Sequence, residues 1–241
     1  MRSSPSNPDP RDPDPLDPGA PGFAHRGLHY GAQFPENSLL AFAAALEAGA
    51  GIECDLRLTA DDQILVFHDA DAWRLCASPL RIGRSTLAQL SRLRLGERPI
   101  PKLASLLALV AGRAPLLLEV KVDGDLWRWA PALRGALAEY RWPLGVMSFD
   151  PRLARLLKTN LRSVRRGLVV RESLPALQRR VALRLASPDF LAVDRAALGQ
   201  RWVARARQRI PVYSWTIRSP EQREQAGVHA DALIWEADGR P

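Results

Sequence analysis

The 241-residue sequence predicts an α/β fold, a (β/α)8 barrel of the TIM type, and three observations predict it. From residue 22 onward, short apolar runs alternate with helical segments, the pattern of parallel strands joined by helical crossovers. Eight of those runs qualify as parallel strands once one antiparallel hairpin is set aside, and eight is the number that closes a barrel. Polar and charged residues collect at the C-terminal ends of the runs, where such a barrel carries its chemistry. An open doubly wound sheet is the competing architecture, but no glycine-rich phosphate loop follows the first strand.

Residues 1–21 hold seven of the twenty prolines, with Ser, Asn and Asp between them and almost no apolar side chain. Such a stretch cannot bury enough surface to order itself, so it is expected to be a disordered tail ahead of one barrel domain spanning 22–241. Folded sequence begins with Gly22-Phe23-Ala24-His25-Arg26-Gly27, a short strand ending in a polar, glycine-terminated turn. Phe34-Pro35-Glu36-Asn37-Ser38 then leads into an alanine-rich amphipathic segment, Leu39 to Ala48. Asn37 or Ser38 suits its N-cap and Gly49 its C-terminal glycine.

Next comes Gly51 to Asp69, GIECDLRLTADDQILVFHD, around which the chain is organised. As a strand, its first half sends Glu53, Asp55 and Arg57 to one face and Ile52, Cys54 and Leu56 to the other. Two carboxylates on one face repel each other unless a cation or proton lies between them, so the pair points to a hard metal with oxygen ligands. A solvated edge strand would tolerate them too, but the opposite face is apolar and the segment soon reaches His68-Asp69. The turn Ala60-Asp61-Asp62-Gln63 is too short for a parallel crossover, so Ile64 to Phe67 must run antiparallel to the strand before it. That hairpin returns His68 to the mouth where the carboxylates sit.

Beyond a short insertion at 70–102, too small for a separate cap domain, strands are expected at Pro115 to Lys121, Leu144 to Phe149, Arg166 to Val170, Phe190 to Asp194, Pro211 to Ile217 and Ala232 to Trp235. Helices are expected between them at Leu126 to Tyr140, Pro151 to Lys158, Leu174 to Leu185, Gly199 to Arg209 and Pro220 to Ala226. Little chain follows Trp235, so the last helix is expected to be missing or vestigial.

Hydrophobic residues make up 46% and charged residues 25%, the ordinary balance of a globular domain with a sizeable core. No apolar run approaches the roughly 20 residues that span a bilayer, and the N-terminus has no apolar signal region. Two cysteines, Cys54 and Cys76, make no disulfide framework, and the cytoplasm is the expected location. The net charge of +8 and isoelectric point near 10.4 raise the question of an anionic partner. The arginines fall within 84–113, 162–184 and 201–209 at helical spacings, which reads as solvated helix faces. With no zinc-ligand pattern and no basic stripe interleaved with aromatics, the composition argues against nucleic-acid binding.

HRG followed by PENS, then IECDLRLTADDQILVFHD and LLLEVK, resembles the glycerophosphodiester phosphodiesterase family, with weaker matches at VMSFDPRLARLLK, FLAVD and VYSWTI. The resemblance covers about Gly22 to Trp235 and rests on the order and spacing of these motifs. It implies a (β/α)8 barrel that hydrolyses small-molecule glycerophosphodiesters to glycerol 3-phosphate and an alcohol with a divalent cation, Ca2+ or Mg2+. Carried over residue by residue, it implies that Glu53, Asp55 and Glu119 are metal ligands and that His25 and His68 are the catalytic acid and base. Arg26 and Lys121 become candidates for contacting the phosphate or ordering the carboxylates. Attack by the neighbouring glycerol hydroxyl or by water directly both remain open. Asn37 is open between helix cap and site contact, Lys121 pairs naturally with Glu119, Trp215 is open between pocket wall and core, and His29 and His229 are expected at the surface.

Two other functions are compatible with the same motifs: a lysophospholipase D-type activity on lipid head groups, and a non-catalytic barrel that binds phosphate ligands. The chain departs from the family where the last strand often ends in threonine-aspartate-x-proline. Here it reads Ile234-Trp235-Glu236-Ala237, and Trp235 is expected to reshape the substrate end of the mouth.

Overall fold

The structure is a computed structural model that describes residues 14–162 and 164–241. Eight parallel strands close into a barrel: β1 (Phe23–His25), β2 (Gly51–Leu58), β4 (Leu116–Val120), β5 (Leu144–Ser148), β6 (Arg165–Val170), β7 (Phe190–Asp194), β8 (Val212–Ile217) and β9 (Ala232–Trp235). Each pairs with the next, and β1 pairs with both β9 and β2, which completes the ring. The remaining strand, β3 (Ile64–Val66), pairs antiparallel with the upper end of β2, Leu56 opposite Val66, as the short turn requires.

Helices α1 (Leu39–Glu47), α4 (Leu103–Val110), α5 (Trp129–Ala136), α6 (Pro151–Asn160), α7 (Ala176–Ala186), α8 (Arg201–Arg207) and α9 (Pro220–Gly227) surround the barrel. Ser38 caps α1 by accepting the Ala41 N–H, and Asp150 caps α6 with Pro151 in its first turn, the arrangement those residue types favour. After β9 the described residues form a 3-10 turn, Ala237–Gly239. The expected strand ends hold within two residues. Helix α4 was not among the expected elements, although Leu103, Leu106, Leu107 and Val110 recur at helical spacing and form its buried face. The insertion contains two single-turn helices, α2 (Trp73–Cys76) and α3 (Leu87–Leu90), over a small cluster that includes Leu65, Phe67, Ile82 and Leu95.

Alternation along the strands divides the core. One set of side chains packs between barrel and helices, while Phe23, Leu117, Met147, Val169, Phe190, Tyr213 and Ile234 fill the barrel interior. Leu16 belongs to that interior and is 1% exposed. Asp14 accepts a hydrogen bond from the Tyr213 hydroxyl and pairs with Arg165 at 2.8 Å. The expectation of a disordered tail therefore fails for residues 14–21. One leucine among prolines is invisible to a composition argument, but it plugs the end of the barrel opposite the strands' C-termini; residues 1–13 lie outside the described residues.

Candidate active site

The period of two that places Glu53 and Asp55 on one face of β2 aims both into the barrel mouth, and register sets Asp55 opposite Glu119 of β4. All three carboxylates are buried, and one oxygen or other ligand atom from each lies within 4.8 Å of the others. His25 ends β1 opposite Glu53, its Nε2 3.9 Å from the Glu53 carboxylate. Arg26 turns the chain with a left-handed φ of 57°, a conformation that L-residues with long side chains adopt only under constraint. That turn points its backbone N–H at Glu53 Oε2, 3.2 Å away, while its guanidinium reaches Asp55 at 3.0 Å. Lys121, two residues beyond Glu119, pairs with both Glu119 and Asp55. The open question over Asn37 resolves on contact: Ser38 is the helix cap, and the buried Asn37 amide donates to Asp55 at 2.9 Å and accepts the Asp55 N–H.

The electrostatics follow from charge placed out of water. Burial, together with Asp55 and Glu119, raises the Glu53 carboxyl well above the ordinary range. Asp55 is equally buried, yet Lys121 and Arg26 outweigh that cost and hold it below the carboxylate range. Glu53 Oε1 has no hydrogen-bond partner among the described residues. An orphaned, buried carboxylate oxygen facing two further carboxylates is the donor set of a hard divalent cation, so the residues present fit such an ion.

His68 returns from the hairpin to the same mouth. Its Nδ1 lies 2.7 Å from Asp69, and its backbone carbonyl accepts from Arg57, whose guanidinium also pairs with Asp123. Burial lowers the pKa of both imidazoles; for His25 the Glu236 hydrogen bond opposes the shift, and for His68 the Asp55 charge does.

Glu236 is the residue that sequence reasoning missed. It lies beyond β9 with its Oε2 2.5 Å from His25 Nδ1, and it also pairs with Arg218 at 2.6 Å. Burial alone would raise its carboxyl, but the His25 hydrogen bond and its other partners hold it far below the usual range. Trp235, expected at the mouth, points the other way: it is buried outside the barrel and its Nε1 donates to the Pro21 carbonyl at 2.6 Å. The signal was available in the alternation, since Ala232, Ile234 and Glu236 share a face. His29, expected at the surface, is half-buried 3.8 Å from Glu236.

A second set of ion pairs was also unforeseen. Arg74 of α2 bonds both Asp69 and Glu36, and Glu36 bonds Arg26. A continuous chain of alternating charges therefore joins His68 to Asp55 through residues of two connections, the one between β1 and α1 and the one after β3. On the far side of the mouth, Trp215 packs edge-on against Phe149 at 5.5 Å, with the Arg171 guanidinium 4.4 Å over the Phe149 ring. Trp215 is thus a partly buried residue packed on the edge of the interior cluster.

Fold and site together define a (β/α)8 barrel with an acidic centre for a divalent ion and two imidazoles beside it. The model of the glycerophosphoryl diester phosphodiesterase family matches residues 25–237, and the chain belongs to that family. It is 32% identical over 116 residues to a glycerophosphodiester phosphodiesterase of Bacillus altitudinis, a match covering 44% of this chain and 46% of that protein. A second match, 42% over 74 residues, is to a probable glycerophosphodiester phosphodiesterase of Mycobacterium tuberculosis and covers 30% of this chain and 26% of that one. The matched stretches thus span less than half of these curated relatives. Among solved structures, the glycerophosphodiester phosphodiesterase of Thermotoga maritima is 27% identical with a TM-score of 0.72, over 88% of this chain and 92% of that one. A phosphodiesterase of Oleispira antarctica, solved with sn-glycerol-3-phosphate, shares the fold with a TM-score of 0.79 at 21% identity over 89% of this chain and 91% of that one.

Proposed function

We propose that the protein hydrolyses glycerophosphodiesters to glycerol 3-phosphate and an alcohol, using Ca2+ or Mg2+ held by Glu53, Asp55 and Glu119. The observation that carries this reading is the buried three-carboxylate cluster with the His25 and His68 imidazoles close enough to act on Asp55. A divalent ion there would neutralise the charge that builds on the phosphate as it is attacked. Lys121 and Arg26 add fixed positive charge at the same place and hold the carboxylates in position. His25 and His68 divide the proton transfers: one takes the proton of the attacking hydroxyl, the other delivers one to the departing alkoxide. Lowered pKa values favour the neutral imidazole that the base needs, and the acid enters the cycle as imidazolium carrying the proton it delivers, a form that the Asp55 charge supports at His68. Glu236 on Nδ1 fixes the His25 ring so that Nε2 faces the reacting centre.

The substrate is a small molecule, and no helix among the described residues is long and apolar enough to cross a membrane. Free cysteines at Cys54 and Cys76 suit a reducing cytoplasm. Lysophospholipids form the second substrate class, favoured by Tyr30 and Trp73, which stand 55% and 65% exposed on the loops that carry Glu36 and Arg74.

The test is release of glycerol 3-phosphate from glycerophosphocholine and glycerophosphoethanolamine with Ca2+, Mg2+ or chelator, beside His25→Ala. Ion-dependent turnover that disappears in the variant is the expected result. A folded, ion-binding protein that turns over neither these substrates nor lysophospholipid overturns the catalytic reading in favour of a phosphate-binding barrel.

A further inference from the structure

Arginines read along the sequence as solvated helix faces are gathered by the fold onto one flank. Residues 151–209, which contain α6, α7 and α8, hold fifteen Lys and Arg against three Asp and Glu; the rest of the chain holds nineteen against twenty-three. The whole positive excess therefore lies in one quarter of the molecule. Helix α6 packs on α7, and Arg179 of α7 stacks on Trp202 of α8 at 4.5 Å, so the three helices present a joined surface. Arg155 and Lys158 on α6 and Arg201 and Arg205 on α8 are exposed, with no carboxylate partner among the described residues.

Helix α7 between them is patterned against the rule for a helix on a barrel. At 100° per residue, Arg180, Arg184, Leu177 and Val181 fall within one sector of about 100°. That sector faces water: Leu177 is 72% and Val181 58% exposed, and both arginines are exposed. Two apolar side chains a turn apart, framed by arginines in an acid-poor surround, match a membrane interface. There the guanidinium groups meet anionic head groups and the aliphatic pair enters the acyl boundary. A nucleic-acid backbone would satisfy the arginines but leave Leu177 and Val181 without a use.

We infer that the α6–α8 flank is a docking surface for anionic phospholipid membranes. Leu177 lies in the first turn after β6, at the mouth end of the barrel, so docking sets the mouth beside the lipid surface without covering it.

Sedimentation of the full chain with phosphatidylcholine vesicles, with and without phosphatidylglycerol, tests this. Binding is expected only with phosphatidylglycerol at low salt, and salt should release it. Each surface cation contributes roughly fivefold to partitioning, so R180E/R184E is expected to weaken binding on the order of tenfold or more, and L177D/V181D comparably. Melting temperature and turnover of soluble glycerophosphocholine should not change in either variant. The inference is overturned if anionic vesicles do not bind at low salt, or if both variants bind like the wild type. It is also overturned if duplex DNA displaces the vesicles while L177D/V181D has no effect on either ligand.

Discussion

Replacing Glu53 by Gln should stabilise the ion-free protein while abolishing its response to a divalent cation. Glu53 is 1% exposed, and ligand atoms of Asp55 and Glu119 lie within 4.8 Å of it. At that separation and an effective dielectric of about 20, each like-charge contact costs about 3.5 kcal/mol. Lys121 and Arg26 offset a large part of the two contacts, leaving a net penalty of about 1–3 kcal/mol on the site, met as repulsion or as the cost of keeping Glu53 protonated, that glutamine removes. Glutamine keeps the shape and the oxygen that accepts the Arg26 N–H, and its amide can donate toward the remaining carboxylates. For a domain of this size each kcal/mol raises the melting temperature by roughly 2–4 °C. The wild type should gain stability from Ca2+ or Mg2+, about 2.7 kcal/mol at a hundredfold excess over Kd, and the variant should gain none. Because the folded pKa of Glu53 lies above its unfolded value, the ion-free fold holds a proton that the unfolded chain has released. Stability from this group is thus fullest at acid pH and is lost as pH rises through the folded pKa. The ion displaces that proton, so the ion-induced shift of the wild type should grow with pH over the same range. Thermal melts in chelator and in excess cation, at several pH values, measure both effects. An ion-free variant less stable than wild type by several kcal/mol, or one that keeps the ion-induced shift, would refute the reasoning.

Glu236→Gln should lower kcat on the order of tenfold to a hundredfold, within the ~100–10,000-fold that general acid–base catalysis supplies, and leave KM nearly unchanged, as steady-state kinetics would show. Arg74→Ala, at a position 48% exposed, should cost under about 1 kcal/mol of stability but lower kcat roughly three- to tenfold by loosening His68; an unchanged kcat would mean that Asp69 alone holds the ring. Leu16→Ala should cost about 2–4 kcal/mol by opening a cavity under the barrel, measurable by denaturant unfolding, with turnover unaffected well below the melting temperature.

The residues readable in advance are those that a strand period or a motif fixes locally. Glu53, Asp55, Glu119 and Lys121 share faces because successive strand residues alternate, and the four-residue turn alone dictates that His68 comes back to the mouth. What escaped depends on pairings between distant stretches. Glu236 becomes legible only through register: Ala24 pairs with Trp235, so the next residue on each strand, His25 and Glu236, must meet. The bulk of Trp235 suggests a mouth residue, but the same alternation turns its face outward. Arg74 and Glu36 were hidden for a related reason, since an ion pair between two loops has no period. Leu16 was hidden because order there comes from the cavity it fills and not from its proline-rich neighbours.

The contact between His25 and Glu236 joins the first strand of the barrel to the end of the last. During synthesis, the carboxylates of β2 and β4 and the imidazole of β1 emerge well before Glu236, which follows the last barrel strand. A nascent chain can therefore assemble the acidic centre long before it can set the His25 ring. If His25 takes the proposed catalytic role, turnover would itself report that the ring of strands has closed.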